Sequence, residues 1–199
     1  IGKLINEFRK KNNTTFPLFH VDACQAVEYL NLNINHLNVD LLTFNGSKIY
    51  GSRGIGVLYV RNKINLEPLI FGGGQEHGQR AGTENLPAIL GLAKAISLIE
   101  KKESERLSAL RDCFIEKLKN ILPEIKINGA IGSSRLPNNI NISIPELDSE
   151  SILLELDKHG IYAGSGSACT ARSVESSHVI KALAVDNKYL NGVIRFSLG

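Results

Sequence analysis

The sequence has 199 residues, of which 43% are hydrophobic and 22% charged, and its formal net charge is +3 at pH 7. This composition is typical of a globular protein and excludes the collagen-like, low-complexity and disordered classes. The basic excess is small and scattered, so we expect no nucleic-acid partner. No apolar run approaches the roughly 18 residues of a membrane span, so we expect no membrane partner either. The sequence lacks Met and begins with Ile1, which indicates a processed N-terminus or a piece of a longer chain.

The cysteines are few, and they bear on the cellular compartment. Cys24, Cys113 and Cys169 are far apart and match no metal-ligand spacing. An odd and sparse set is typical of a reducing compartment and argues against a disulfide framework. We therefore expect a cytoplasmic protein without a metal site. Cys113 falls within a helical pattern and is interpreted as structural, and packing is the expected role of Cys24.

Apolar periodicity predicts the elements of the first half. A helix end is expected over residues 4–11, and three buried strands are expected over Phe16–Ala23, Val39–Phe44 and Gly54–Val60. Near-continuous apolar strands are typical of a sheet that is covered on both faces. Residues 70–85 are rich in glycine and are expected to form a loop.

A single long helix is predicted next, from Leu86 to about Leu122, with Asn85 as its N-cap and Pro123 at its end. Its charge run, residues 100–106, is expected to lie on a solvated face. We place a boundary near residue 100, which divides the chain into parts 1–100 and 101–199. The elements predicted after the helix are strands over Ile125–Asn128 and Asn139–Ile144, a helix over Ser149–His159 capped by Ser149, a strand over Ile161–Ala163, a helix over Ser176–Leu183 and a strand over Gly192–Leu198. Strands that alternate with helices indicate an α/β or α+β fold.

Two polar groups follow predicted strands, where ligands of α/β folds bind. Asp22 and Gln25 come after the first strand, although Asp22 is equally suited to cap a helix. Asn45, Ser47 and Lys48 come after the second. A lysine that is desolvated there would suit Schiff-base chemistry, and the alternative is a turn lysine in solvent.

Three further features have chemical potential. Arg80, Thr83 and backbone amides of the glycine-rich segment could hold a phosphate just before a helix, unless the segment is only a loop. Cys169 lies among small residues before a helix, which suits an accessible nucleophile, and the alternative is an inert buried thiol. Arg195 lies in an apolar strand, where arginine usually has a carboxylate partner from the protein or a substrate.

The order of these motifs resembles the cysteine desulfurases of the NifS/IscS type. These are pyridoxal 5'-phosphate enzymes of the class V aminotransferase group, with fold type I. The matching segments are His20–Gln25, Gly46–Lys48 with Tyr50 and Gly51, Gly72–Asn85, Gly166–Thr170 and Ile194–Ser197. The resemblance implies that residues 1–100 are the C-terminal part of a large, mostly parallel-sheet domain. It also implies that residues 101–199 are a small α+β C-terminal domain that lacks its end.

The resemblance also implies roles for individual residues. Lys48 resembles the lysine that holds the cofactor and later moves protons, and Cys169 resembles the nucleophile that takes sulfur from L-cysteine. Asp22 resembles the carboxylate on the ring nitrogen, which it keeps protonated so that the ring can accept electrons. Gln25 resembles the residue on the phenolic oxygen, and Asn45 and Ser47 occupy phosphate-contact positions. Thr83 resembles a threonine that reaches the cofactor phosphate of a neighbouring subunit, which implies a homodimer. Arg195 resembles the arginine that binds the substrate carboxylate. The Cys169 context resembles the iron–sulfur-assembly type, so an iron–sulfur scaffold or another sulfur-acceptor protein is the implied partner.

The sequence also departs from the family. Asn45-Gly46-Ser47-Lys48 stands where Ser-Gly-His-Lys is usual, so we expect cofactor binding that survives but is weakened. The family's histidine that stacks on the ring, an asparagine, a phosphate-binding helix start and a terminal helix are absent from these 199 residues. We therefore expect this chain to be inactive by itself. The open alternatives are a selenocysteine lyase or aminotransferase, a degenerate subunit that only binds partners, and a redox protein built on Cys169.

Overall fold

The computed structural model describes residues 1–166 and 177–199, which divide into two compact units, Ile1–Glu100 and Lys101–Gly199. The helices and strands of the first unit are α1 (Gly2–Asn12), β1 (His20–Asp22), α2 (Ile34–Leu37), β2 (Leu41–Asn45), β3 (Gly56–Val60) and α3 (Leu86–Ser97). Those of the second unit are α4 (Lys101–Ile121), β4 (Lys126–Ile127), β5 (Asn139–Ser143), α5 (Ser149–Lys158), α6 (His178–Ala182) and β6 (Val193–Ser197). Each unit contains its own three-stranded sheet.

The sheet of the first unit has the order β1-β2-β3, with β2 in the middle. β1 and β2 are parallel, and Asp22 is level with Thr43, whereas β2 and β3 are antiparallel. Ala23, Val39 and Leu42 form the buried centre of this unit. The parallel pair matters most for function, because it brings the carboxyl ends of β1 and β2 to the same edge.

Two details of this sheet differ from the sequence prediction. β1 spans three residues only, because Pro17 has no N–H to donate to a ladder and Phe16 and Leu18 are exposed. β3 is not covered on both faces, since exposed and partly buried residues alternate along it and Leu58 is 49% exposed. An apolar run therefore predicts the existence of these strands better than their length or their coverage.

The predicted helix over Leu86–Leu122 is wrong as one element, because it is two helices, α3 and α4. α3 ends where Leu98 N and Ile99 N donate to carbonyls three residues back, at 3.1 and 3.2 Å, in place of the four-residue α-helical step. Asn85 is the N-cap as predicted, and its side chain accepts a hydrogen bond from Ala88 N at 3.3 Å. Apolar spacing lapses over residues 100–106, which contain no apolar side chain, and this gap is the sign of the break in the sequence.

The second unit has an antiparallel sheet of order β4-β5-β6. Its core contains Ile140, Ile142 and Ile194, and Phe114 of α4 meets Phe196 of β6 edge to face with ring centroids 5.1 Å apart. The predicted strand over Ile161–Ala163 is wrong, since only Gly164 pairs, as a single bridge with Arg195.

Two local predictions in the second unit differ from the structure, and a third extends beyond the described residues. The N-cap of α5 is Asp148 and not Ser149, because the Asp148 carboxylate accepts from Ser151 N at 3.0 Å. Cys113 is exposed, so it is not a packed core thiol. The predicted helix over Ser176–Leu183 is observed as α6, and Ser176 lies outside the described residues.

The described residues contain neither a helix that could span a membrane nor a cluster of metal ligands. Within residues 1–166 and 177–199, no helix is both long and apolar enough to cross a membrane. Over the same two ranges, no three His, Cys, Asp or Glu side chains cluster as a metal site would require.

Candidate active site

The candidate site of the first unit lies where β1 and β2 end. Asp22 is the last residue of β1 and Asn45 is the last residue of β2. Ala23, which directly follows β1, donates its N–H to Thr43 O within β2 at 2.7 Å, so the two strands stay paired past Asp22. The polar residues that follow each strand therefore meet at one edge of the sheet, which is where α/β folds bind their ligands.

Asp22 ends β1 with an exposed carboxylate that folds back on its own chain. Its Oδ1 accepts a hydrogen bond from Cys24 N at 2.9 Å, which makes an Asx turn. Hydrogen bonds from the Cys24 thiol and then from the Cys24 amide lower the pKa of Asp22, so it is anionic at neutral pH. No helix in the described part of the chain begins here, so Asp22 does not act as a helix N-cap.

Cys24 links the two strand ends, which the sequence did not indicate. Asn45 Nδ2 donates to Cys24 Sγ at 3.2 Å, across 21 positions of the chain. Burial is the main cause that raises the pKa of Cys24, and hydrogen bonding to Asp22 adds to it, while the nearby charge of Lys48 opposes the change. The thiol is therefore protonated at neutral pH and acts as a hydrogen-bonding group. Its position two residues after Asp22 could have indicated the amide contact of an Asx turn, but no local pattern indicates the contact with Asn45.

Lys48 closes a short 3-10 turn, Gly46–Lys48, that leaves the end of β2. Gly46 is buried in this turn, its N–H donates to Ile55 O at 3.1 Å, and a Cβ placed on it would lie 2.7 Å from Ser52 O. The turn therefore requires glycine before Ser47. Ser47 Oγ donates to Asn45 Oδ1 at 2.9 Å. Lys48 itself is exposed, which agrees with the alternative of a turn lysine in solvent.

The glycine-rich segment is held by its own side chains. Gly82 N donates to Gln75 Oε1 at 3.2 Å, and Arg80 Nη1 donates to Gly82 O at 2.8 Å. Arg80 also pairs with Glu76 at 3.4 Å. The guanidinium predicted to hold a phosphate is thus engaged with the loop itself. Thr83 is exposed two residues before the N-cap of α3, and Gln25 is exposed after the Asp22 turn.

Arg195 belongs to the second unit and has an unusual environment for a charged residue. It lies on β6 and exchanges two backbone hydrogen bonds with Gly164, at 3.0 and 2.6 Å. Among the described residues, its buried Nε has no hydrogen-bond partner, and none of their ion pairs involves its guanidinium. A buried donor without a partner is costly, so this group suits an incoming carboxylate. Cys169 lies outside the described residues.

The chemistry of this donor set fits pyridoxal phosphate. An anionic carboxylate suits a protonated ring nitrogen, and an exposed lysine amine suits the aldehyde carbon. Lys48 makes no ion pair with any carboxylate that the structure describes, which leaves its amine available. The phosphate position fits less well, because the Ser47 hydroxyl hydrogen is directed at Asn45 Oδ1.

Comparison with known proteins supports the same assignment. Residues 3–199 match the family described as aminotransferase class V. Similar curated proteins include a cysteine desulfurase IscS of Dictyoglomus turgidum (strain DSM 6724 / Z-1310), 46% identical over 184 residues, which are 91% of this chain and 46% of that protein. A cysteine desulfurase IscS of Clostridium botulinum (strain Hall / ATCC 3502 / NCTC 13319 / Type A) is 41% identical over 201 residues, which are 99% of this chain and 50% of that protein.

Solved structures agree on the fold. A NifS-like protein from Rickettsia africae ESF-5 superposes with a TM-score of 0.84 at 32% identity, over 100% of this chain and 52% of that chain. The mixed α/β units thus correspond to part of fold type I, as predicted. The chain spans about half the length of the curated relatives it matches. On the match over residues 3–199, the chain belongs to the aminotransferase class V family.

Proposed function

We propose that the protein containing this chain is a pyridoxal-phosphate-dependent cysteine desulfurase. It would convert L-cysteine to L-alanine and leave the sulfur on the enzyme as a persulfide. One observation carries the proposal: Asp22 and the turn of Lys48 follow neighbouring parallel strands and are linked through Cys24 and Asn45. The names of the IscS relatives support it, although this chain spans about half of their length.

Each group of the first unit has a task in this proposal. When bound, the cofactor supplies an electron sink that allows the carbon–sulfur bond of the substrate to break. Asp22 accepts a hydrogen bond from the ring N–H and holds its proton. Lys48 holds the cofactor and moves protons at its Nζ, Gln25 donates to the phenolic oxygen, and Asn45 and Ser47 contact the phosphate.

The second unit supplies the substrate contact and the sulfur carrier. Arg195 binds the carboxylate of L-cysteine, which satisfies its buried Nε. The Cys169 sulfur bonds to the substrate sulfur while the substrate carbon–sulfur bond breaks. L-cysteine and one thiol then give L-alanine and one persulfide, so the sulfur atom moves without an external oxidant.

The same proposal names an assembly and a partner. Thr83 would reach the phosphate of a neighbouring subunit, so the working form is a homodimer. The persulfide sulfur would pass to an iron–sulfur scaffold or another acceptor protein. The odd and sparse set of cysteines is typical of the reducing cytoplasm, where we place the reaction.

The test is production of L-alanine from L-cysteine by the full-length protein loaded with pyridoxal phosphate. We expect Cys169→Ala to abolish persulfide and strongly reduce alanine, and Lys48→Ala to abolish the covalent attachment of the cofactor. Cys113→Ala is the matched control, because Cys113 is exposed on α4. Unchanged alanine production in Cys169→Ala would overturn the assigned route of the sulfur.

One observation favours a second function, that of a subunit which binds partners without turnover. The hydrogen bond from Ser47 to Asn45 uses the hydroxyl hydrogen that a phosphate would need. This second function predicts that pyridoxal phosphate gives no new absorbance with the full-length protein, or gives absorbance that persists in Lys48→Ala. Selenocysteine lyase activity is a distinct result of the same assay, run with selenocysteine as the substrate.

A further inference from the structure

The side chain of Cys24 stands between two groups that the proposed function uses. On one side its backbone N–H donates to Asp22 Oδ1 at 2.9 Å, and interaction with its side chain is the main cause that lowers the pKa of Asp22. On the other side its sulfur accepts from Asn45 Nδ2 at 3.2 Å. Because Asn45 also accepts from Ser47 Oγ at 2.9 Å, hydrogen bonds join four residues across the two strand ends, and the link to Asp22 is the backbone N–H of Cys24.

We propose that Cys24 is a positioning residue, which holds the Asp22 carboxylate through its amide and is itself held at the end of β2 through its sulfur, and so sets the orientation of the cofactor ring. The proposal rests on the proposed function, because the ring is that of pyridoxal phosphate. Cys24 acts through Asp22 and Asn45 and does not itself react.

The thiol suits this place because it donates and accepts at once. A thiol can direct its S–H toward the Asp22 carboxylate while the lone pairs of its sulfur accept from Asn45. An alanine can do neither, whereas a serine hydroxyl can do both with a shorter reach. The thiol is also partly buried, and burial raises its pKa, which keeps the proton on sulfur at neutral pH.

The charges around the thiol define a test that needs no cofactor. Among the described residues, the charged groups that act on Cys24 are Asp22, which disfavours the thiolate, and Lys48, which favours it. The pH dependence of iodoacetamide alkylation, followed by peptide mass spectrometry on the full-length apoprotein, reports the acidity of Cys24. Cys113 in the same sample is the internal control.

We expect Asp22→Asn to increase the thiolate fraction of Cys24 by about tenfold at a given pH, because the acceptor and its negative charge are both lost. We expect the alkylation profile of Cys113 to stay unchanged. An identical Cys24 profile in Asp22→Asn would overturn the contact, whatever the protein binds.

The second test measures the cofactor. Cys24→Ala should bind pyridoxal phosphate about tenfold more weakly, as the loss of one hydrogen bond to a charged group predicts. It should also shift the visible absorbance maximum of the bound cofactor, and Cys24→Ser should restore most of both properties. If Cys24→Ala folds poorly, Cys24→Val replaces it in the comparison with Cys24→Ser. Valine keeps the volume of the side chain but forms no hydrogen bonds.

The outcomes separate this proposal from the proposed function. No binding of pyridoxal phosphate by the unmodified full-length protein would overturn both the proposed function and this role of Cys24, while the alkylation result would still report the thiol contact. Binding with equal affinity and equal absorbance in Cys24→Ala would overturn the positioning role alone. A lower unfolding midpoint of Cys24→Ala with unchanged cofactor properties would mean that Cys24 only packs.

Discussion

Ser47 donates its hydroxyl hydrogen to Asn45 Oδ1 over 2.9 Å, and this bond orders the turn that carries Lys48. The two residues stand where the resembled family usually has histidine and serine. In this chain they bind each other, so each phosphate contact requires a rearrangement of the pair.

Removal of the Ser47 hydroxyl is therefore expected to have a small effect. We predict that Ser47→Ala in the full-length protein weakens pyridoxal phosphate by roughly fivefold, near the ~1 kcal/mol of one neutral hydrogen bond. Absorbance titration of the apoprotein measures the affinity, and Ser97→Ala on the exposed end of α3 is the control. A loss of 100-fold or more, about 3 kcal/mol by the same scale, would show that Ser47 is the main phosphate contact.

Arg80 is expected to stabilise the loop before α3. Its Nη1 bonds to Gly82 O at 2.8 Å, and weaker contacts reach the carbonyls of Ala81 and Thr83 at 3.4 and 3.5 Å. Lysine lacks the planar fork, so Arg80→Lys should loosen the segment although the charge is kept. We expect faster cleavage between residues 70 and 85 in limited proteolysis, by about fivefold for ~1 kcal/mol of lost local stability. Lys117→Gln, on the exposed side of α4, is the control and should be cleaved at the rate of the unmodified protein. Cleavage of Arg80→Lys at that same rate would contradict the role of Arg80 in the loop.

The ionisation of Asp40 is expected to make the stability of the first unit depend on pH. Burial opposes its ionisation, but hydrogen bonds from Arg9 and Phe19 N and the charges of Arg9 and Arg61 outweigh burial and lower the pKa of Asp40 below 3.8. The folded state therefore binds this proton less readily than the unfolded chain does. Its contribution is present above about pH 4 and is lost as the pH falls through the folded pKa.

The corresponding variant is Asp40→Asn. Since Asp40 is 5% exposed and Arg9 loses its partner, we expect a loss of about 3 kcal/mol at pH 7. Urea denaturation of the full-length protein between pH 7 and pH 3 measures it, and the difference from the unmodified protein should shrink toward the acid end. Glu67→Gln, at an exposed position, is the control. A difference that is constant over this range would contradict the assigned carboxylate.

Arg111 is predicted to stabilise the second unit. Its side chain is 2% exposed, and it donates to Asp112 at 2.8 Å and to the carbonyls of Arg135 and Leu136 at 3.1 and 3.2 Å. Arg111→Leu should lower the free energy of unfolding by about 3 kcal/mol, because two partly buried carbonyls lose their donor. Arg111→Lys should lose less stability than Arg111→Leu, since the lysine ammonium can still reach one carbonyl. Urea denaturation compares the variants, and equal stability of Arg111→Leu and the unmodified protein would contradict the role.

Local chemistry explains which parts were predictable from sequence. Asn85 was recognisable as an N-cap because capping depends on residues three positions apart, and the apolar runs of β2 and β6 identified them as strands. The break between α3 and α4 was missed, because the apolar spacing on either side was extended across residues 100–106, which contain no apolar side chain. The exposure of Cys113 was missed for a related reason, since a helical pattern does not say which face is covered.

The sequence by itself determined the order of the motifs, and with it the family, whereas the roles of the site residues stay predictions. Those signals are short and depend on residue type, so they survive without knowledge of the fold. Only the tertiary structure decided that Cys24 bonds to Asn45 across 21 positions, and that Ser47 is directed at Asn45. These contacts depend on the parallel register of β1 and β2, which brings two distant strand ends together and which no local pattern encodes.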